Sequence, residues 1–196
     1  MMDKLARLRD RTTEAKTFRG LVREISQLLF YEATQDLKLA PVTIQTPLAP
    51  CAAHQIIGTI GLIPILRAGL GMAEALLDMI PNARVWHLGL YRDHDTCQPV
   101  IYYNKLPSPA HIDLAMVVDP MLATGGSAVQ ALNVVKEHGA TDMRLVCIVC
   151  APEGVAEVER NHPGTIIHTA SLDRALNARK YILPGLGDFG DRLYGT

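Results

Sequence analysis

Asp119 stands between an apolar run, Leu114-Ala115-Met116-Val117-Val118, and a run of small residues, Ala123-Thr124-Gly125-Gly126-Ser127. The order reads as a buried strand, an acid, a tight loop and the start of a helix. Gly125 and Gly126 let the backbone take positive φ and come close to a ligand, so that successive N–H groups can face an anion. Thr124 and Ser127 add hydroxyl donors, and the helix that follows presents the positive end of its dipole. The chemistry is that of a cradle for one phosphate, with Asp119 placed to hold hydroxyls or a metal-bound group. Asp119 alone could be a plain helix cap, but the full run of small residues makes a purely structural reading hard to sustain.

Two arginines belong to the same pattern. Arg67 follows Ile63-Pro64-Ile65-Leu66 and precedes Ala68-Gly69-Leu70-Gly71, while Arg92 follows Trp86-His87-Leu88-Gly89-Leu90-Tyr91. In an open parallel sheet the ligand crevice lies beyond the carboxyl ends of the strands. Arg67, Arg92 and Asp119 would then meet there with the cradle, which suits a ligand bearing several phosphates. A lone arginine is more often solvated or ion-paired; the glycines beside Arg67 and its place at a strand end favour the binding role. No GxxxxGK[ST] occurs, so the cradle is not a P-loop. Gly185-Leu186-Gly187-Asp188-Phe189-Gly190 matches GxGxxG by letter only, since no room remains for the helix and ribose-binding acid that the fingerprint needs.

These residues must be positioned by alternating elements. Helical periodicity covers residues 17–33, with Thr13 or Thr17 as its cap. Pro41, Pro47 and Pro50 around Val42-Thr43-Ile44 suggest an edge strand. Strands follow at 56–66, 84–90, 114–118, 145–150 and 165–169. Helices are expected at 70–79, 127–138 (ending at Gly139) and 154–161. Residues 92–99 are expected to form a mobile loop, and the glycine-rich tail an ordered loop. The apolar strands do not alternate, so the fold class is α/β, a mainly parallel sheet with helices on both faces.

The 196 residues are 48% hydrophobic but only 5% aromatic, and the net charge is −1. That length suits one domain with a real core. The charge speaks against nucleic acid as a partner, because backbone binding needs a concentrated positive face. No segment is long enough to span a membrane and the start has no apolar signal core, which implies a cytoplasmic protein. Cys51 and Cys97 stand apart. Cys147 and Cys150 have CxxC spacing, but on a strand they should face opposite sides, so core thiols are expected rather than a metal or redox site.

The segment from Asp119 to Ser127 resembles the phosphoribosyl diphosphate (PRPP) signature of type I phosphoribosyltransferases. The wider set is similar to the uracil phosphoribosyltransferase family, over about residues 5–196. It comprises Pro64–Gly71, Gly89–Asp93, Tyr102–Leu106, Ala151-Pro152-Glu153-Gly154 and the tail from Tyr181 to Arg192. The resemblance implies a single type I phosphoribosyltransferase domain over 1–196: a helical segment (1–40), a core (about 41–170) and a C-terminal base-binding hood (about 171–196). It implies transfer of phosphoribose from PRPP to uracil, giving UMP and diphosphate. Ala123 to Ser127 would hold the 5-phosphate and Asp119 the ribose hydroxyls, with Pro120, Met121 and Leu122 in the same PRPP-binding segment. Arg67, at a turn with a non-proline cis bond, and Arg92 would hold the diphosphate. Asp188 would assist through magnesium and its waters. Uracil would be read by backbone groups at Tyr181, Ile182, Gly187, Asp188 and Phe189.

A homodimer or larger homo-oligomer and a GTP effector are implied as well. Two positions depart from the common pattern: Lys180 where relatives commonly have glycine, and Phe189 where many have alanine. The alternatives are a phosphoribosyltransferase for another base, or a nucleotide-binding regulator with weak or no catalysis. The presence of both arginines and both acids favours the enzyme.

Overall fold

The computed structural model describes residues 1–92, 99–108 and 111–196. Two helices open the chain, α1 (Met2–Arg9) and α2 (Ala15–Glu32). Leu21, Val22, Ile25 and Leu29 are all buried, so α2 forms where the apolar stripe predicts. Neither expected threonine caps it. The cap position is Glu14, without a side-chain bond, while Thr13 donates to the Arg7 carbonyl at 2.6 Å.

Strands β1 (Leu39–Gln45) and β2 (Pro50–Ile56) form an antiparallel hairpin that is a sheet of its own. One edge strand and a continuous strand over 56–66 were expected here. The chain instead breaks at Gly58, with φ +91°, and the Asp113 carboxylate accepts from the Thr59 N–H at 2.6 Å. Strand β3 (Ile60–Leu66) and helix α3 (Leu70–Met79) follow. The expected strand over 84–90 is two, β4 (Arg84–Val85) and β5 (Leu88–Arg92), each paired with a different part of β3. Between them the Trp86 ring fills the space beside Gly61.

Next come β6 (Pro99–Asn104), β7 (Leu114–Val118), β8 (Met121–Leu122), α4 (Gly126–Glu137), β9 (Met143–Cys150), α5 (Pro152–Asn161) and β10 (Ile166–Leu172). The tail is not all loop. It forms a short hairpin, β11 (Ala175–Leu176) with β12 (Ile182–Leu183), and a helical turn, α6 (Phe189–Tyr194). Residues 93–98, which hold Cys97 and most of the expected mobile loop, lie outside the described residues, as does the Arg92 side chain.

The main sheet runs β10-β9-β7-β3-β5-β6 and is parallel except for β6. Its two faces bury separate cores. Leu62, Met116 and Val118 meet α2 and α3, whereas Ile63, Ala115 and Val117 meet α4. Cys147 and Cys150 are buried core thiols, but both lie on the α4 side, not on opposite faces. The Ile148 and Val149 N–H groups both donate to the Pro120 carbonyl, at 3.0 and 3.1 Å. Ile148 and Val149 both face the α2–α3 core, so the alternation slips by one position there, while the pairing register is the same on either side.

Candidate active site

Strands β7, β3 and β5 are parallel neighbours, so the residues that end them share one rim of the sheet. Asp119 follows β7, Arg67 follows β3, and Arg92 closes β5 with its backbone in register with Pro99. The Leu66–Arg67 peptide bond is cis. Gly69, in the same turn, lies so close to β7 that a Cβ there would sit 2.5 Å from the Val118 carbonyl oxygen. The Arg67 turn is therefore seated directly beside Asp119. Arg67 is exposed, and among the described residues no carboxylate pairs with it.

Past Asp119 the chain makes a single excursion. Pro120 leads into β8, whose Met121 and Leu122 pair with Val149 and Cys150, and Ala123 and Thr124 lead to Gly125. Gly125 takes φ +85° as the cap of α4, and no side chain caps this helix. The first-turn N–H groups of α4, from Gly126 and Ser127 onward, have no partner within the helix. A Cβ on Gly126 would meet no atom within 4 Å, so this side of the cradle is open. Its other side is closed: a Cβ on Gly154, in the first turns of α5, would lie 2.6 Å from the Ala123 carbonyl oxygen.

Burial pushes the Asp119 carboxyl up to about 7, and the Met121 N–H that donates to it offsets only part of the effect. A group that donates hydrogen bonds to this oxygen pair, such as a vicinal diol, would favour the anion.

The tail residues reach the same rim. The turn joining β11 to β12 is held by Asn177, whose Oδ1 accepts from the Arg179 and Tyr181 N–H groups at 2.9 and 3.0 Å. Lys180 sits in this turn at φ +66°, a left-handed conformation that glycine adopts without strain. The lysine thus keeps the backbone a glycine would favour. Ile182 and Phe189 are buried, and the Phe189 ring packs edge-on against Phe18 at 5.3 Å. Their side chains serve the core, leaving only backbone groups at these positions for a ligand.

Asp188 is exposed and caps α6, its Oδ1 accepting from the Asp191 N–H at 3.0 Å. Among the described residues no group of three or more His, Cys, Asp or Glu could hold a metal ion. A magnesium ion here would depend mainly on ligand phosphates and water, as that ion tolerates, with a carboxylate such as Asp188 nearby.

Two contacts tie the tail to the rim that the sequence pattern did not reveal. Tyr194 Oη donates to the Arg67 carbonyl at 3.3 Å, and Glu153 Oε1 accepts from the Leu176 N–H at 3.0 Å. Both join residues far apart in sequence; only the motif Ala151–Gly154 pointed toward the second. A cleft of about 500 Å³ lies between cradle and tail, bordered by Thr124, Glu153, Asn177 and Lys180. A larger one, about 630 Å³, between α2, α3 and α6 contains none of the expected site residues.

Known proteins share this arrangement. The family profile described as uracil phosphoribosyltransferase matches residues 1–196. A uracil phosphoribosyltransferase from Roseiflexus castenholzii is 60% identical over 193 residues, 98% of this chain and 93% of that relative. The structure of the AQ2163 protein from Aquifex aeolicus superposes with a TM-score of 0.93 at 35% identity, covering 100% of this chain and 94% of the other. A hypoxanthine-guanine phosphoribosyltransferase from Bacillus anthracis shares the fold alone, with a TM-score of 0.54 at 12% identity over 81% of this chain and 80% of that one. With the family profile matched along its whole length and a relative 60% identical over 98% of it, the chain belongs to the uracil phosphoribosyltransferase family.

Proposed function

We propose that the chain is a pentosyltransferase that joins uracil N1 to the anomeric carbon of PRPP. The new carbon–nitrogen bond forms as the carbon–oxygen bond to diphosphate breaks. Diphosphate leaves with that electron pair, the N1 proton is lost, and UMP is the product. The observation that carries the reading is the seating of the Arg67 turn against β7 beside Asp119, on the rim where the Thr124–Ser127 cradle opens.

In this reading Ala123 to Ser127 hold the 5-phosphate on backbone N–H groups and hydroxyls, with Pro120 and strand β8 (Met121 and Leu122) completing the PRPP-binding segment. Asp119 accepts from the ribose hydroxyls and fixes the sugar for attack. Arg67 and Arg92 hold the diphosphate and stabilise its growing charge. Magnesium, when bound with the diphosphate, supplies further charge neutralisation, and Asp188 is the carboxylate that would hold its waters. Uracil meets backbone groups at Tyr181, Ile182, Gly187, Asp188 and Phe189. Backbone readout suits a flat base, because a wrong base leaves buried polar groups unpaired.

The division into a helical segment, a core and a hood belongs to the same proposal, as does a symmetric homo-oligomer. The exposure of Leu39, Ile44, Leu48 and Ile56 on the β1–β2 hairpin supports association. Among the described residues no helix is long and apolar enough to cross a membrane, and a cytoplasmic location is proposed with it. A GTP effector rests on family likeness and is tested by adding GTP to the assay.

The assay is UMP formation from PRPP with uracil, cytosine or hypoxanthine offered in turn. Uracil should be turned over far better than the others, and Asp188→Asn, which keeps an oxygen for the α6 cap, should lose most of the rate. Turnover of hypoxanthine with none of uracil would overturn the substrate, and an unchanged rate in Asp188→Asn would remove that residue from the machinery.

A further inference from the structure

Glu153 occupies the first turn of α5, and its neighbours on either side belong to different halves of the site. Next to it, Gly154 lies against the cradle, where a Cβ would meet the Ala123 and Leu122 carbonyl oxygens at 2.6 and 2.9 Å. The Ala151 N–H, just before α5, donates to the Leu122 carbonyl at 2.9 Å. One turn further on, Glu157 crowds Gly125, with 2.8 Å between its Cβ and the place of a glycine Cβ. The start of α5 is thus fitted to the back of the cradle with no slack.

The Glu153 side chain reaches the other way. Its Oε1 accepts from the Leu176 N–H at 3.0 Å, and Leu176 is the β11 residue paired with Ile182 in β12. Ile182 is one of the residues proposed to read the base through its backbone. We propose that Glu153 is a positioning residue: it ties the base-reading hairpin to the helix that backs the phosphate cradle, so the two substrate subsites keep a fixed separation.

The inference rests on the proposed function for what each subsite holds, and on geometry for the tie itself. The carboxylate is suited to the task. The Leu176 N–H, a further backbone N–H of its own turn and the charge of nearby Lys180 keep its pKa below the ordinary value. The ionised oxygen is a strong acceptor, and it lies on the surface, so shortening the side chain empties no core. Alanine is also a good helix former. Glu153→Ala should therefore fold and act on the hairpin alone.

The test compares Glu153→Ala and Glu153→Gln with the parent in steady-state assays, together with hydrogen exchange at the Leu176 amide. Glu153→Ala is expected to raise the KM for uracil about 5-fold, the worth of one ordinary hydrogen bond. The KM for PRPP should stay within about 2-fold, since the cradle keeps its own support. Exchange at Leu176 should quicken, and Glu153→Gln, which retains an acceptor oxygen, should recover most of the uracil KM. An unchanged uracil KM in Glu153→Ala would overturn the inference. So would an equal loss toward both substrates, or a Gln variant as impaired as the Ala variant. A parent without uracil transfer would overturn the functional reading instead; the tie would then stand or fall on Leu176 exchange in Glu153→Ala.

Discussion

Asp119 is held where a negative charge is costly, and that cost belongs to the empty site. Its carboxyl, pushed up to about 7 by burial, binds a proton more tightly in the folded chain than in the unfolded one. The associated stability is fully present below the ordinary carboxylate value and is lost as pH rises toward and through about 7. The loss amounts to at most about 4 kcal/mol. Asp119→Asn does not titrate, so its melting temperature should exceed the parent's by a margin that widens from about pH 4 to about pH 7.5 and then levels. The same variant should lose at least about tenfold in kcat/KM for PRPP, because an amide is a weaker acceptor than a carboxylate for the ribose hydroxyls that Asp119 is proposed to hold. A margin that stays flat with pH, measured by calorimetry without ligand, would mean that Asp119 is already ionised in the empty site. Strain between stability and use at one residue is what a binding site shows when its partner supplies the missing donors.

At the scale of elements the cradle is defined by two glycines with opposite surroundings. Gly154 has backbone oxygens where a side chain would go, and no rotamer can relieve such a clash; Gly126 has open space. Gly154→Ala should cost about 1–3 kcal/mol by overpacking and raise the KM for PRPP. Gly126→Ala should leave stability unchanged or raise it by up to about 1 kcal/mol, since alanine favours the α4 start. It should still weaken PRPP binding, because the new methyl intrudes where the phosphate is proposed to lie. Denaturant titration and PRPP binding on the same two proteins separate the effects. The strand, turn and helix start of the proposed cradle were legible in the sequence because they are contiguous: β7, the acid and the small residues lie within fourteen positions, Leu114 to Ser127. Helix α3 was legible for a similar reason, since its apolar residues repeat within one short span. The slip in the β9 alternation was not, because the Pro120 carbonyl that Ile148 and Val149 share lies on another segment. The tail's helical turn and hairpin were hidden by its glycines, which mark turns without saying what stands between them. The link from Glu153 to Leu176 has no local pattern at all.

Across the whole molecule, the first residues of the chain brace the last. The Arg9 guanidinium grips both oxygens of Asp173, at 2.6 and 2.8 Å, and also donates to the Gly185 carbonyl at 2.8 Å. Asp173 accepts in addition from the Ser171 hydroxyl at 2.7 Å and the Gly185 N–H at 2.9 Å. Nearby, the Arg192 guanidinium lies 4.5 Å from the Phe18 ring centre and donates to the Asp10 carbonyl, while Arg19 donates to the Leu193 carbonyl at 2.8 Å. Helices α1 and α2 therefore form the floor on which the tail, and with it the proposed base site, is built. The Asp173 side chain is 2% exposed and that of Arg9 is 22% exposed. Burial alone would raise the Asp173 carboxyl, but Arg9, Ser171 and Gly185 outweigh it and hold the pKa below the ordinary value. A depressed carboxylate contributes stability that is present above its unfolded value and lost as pH falls through the folded one. Acid should thus loosen the tail below about pH 4. Removing Arg9 should do so at neutral pH, since it leaves a buried charge without its cation. Such a break costs about 3–5 kcal/mol when both partners are fully buried, and less here because Arg9 is partly solvated. Arg9→Ala should lower stability by about 2–3 kcal/mol and raise the KM for uracil more than that for PRPP, because the cradle hangs on α5 rather than on α1. Pairing Arg9→Met with Asp173→Asn should restore part of the stability, as uncharged groups no longer demand a partner. Denaturant midpoints of the two variants and the parent decide the matter: a double variant no more stable than Arg9→Ala would show that hydrogen bonds to Gly185 and Ser171, rather than charge pairing, hold the tail in place.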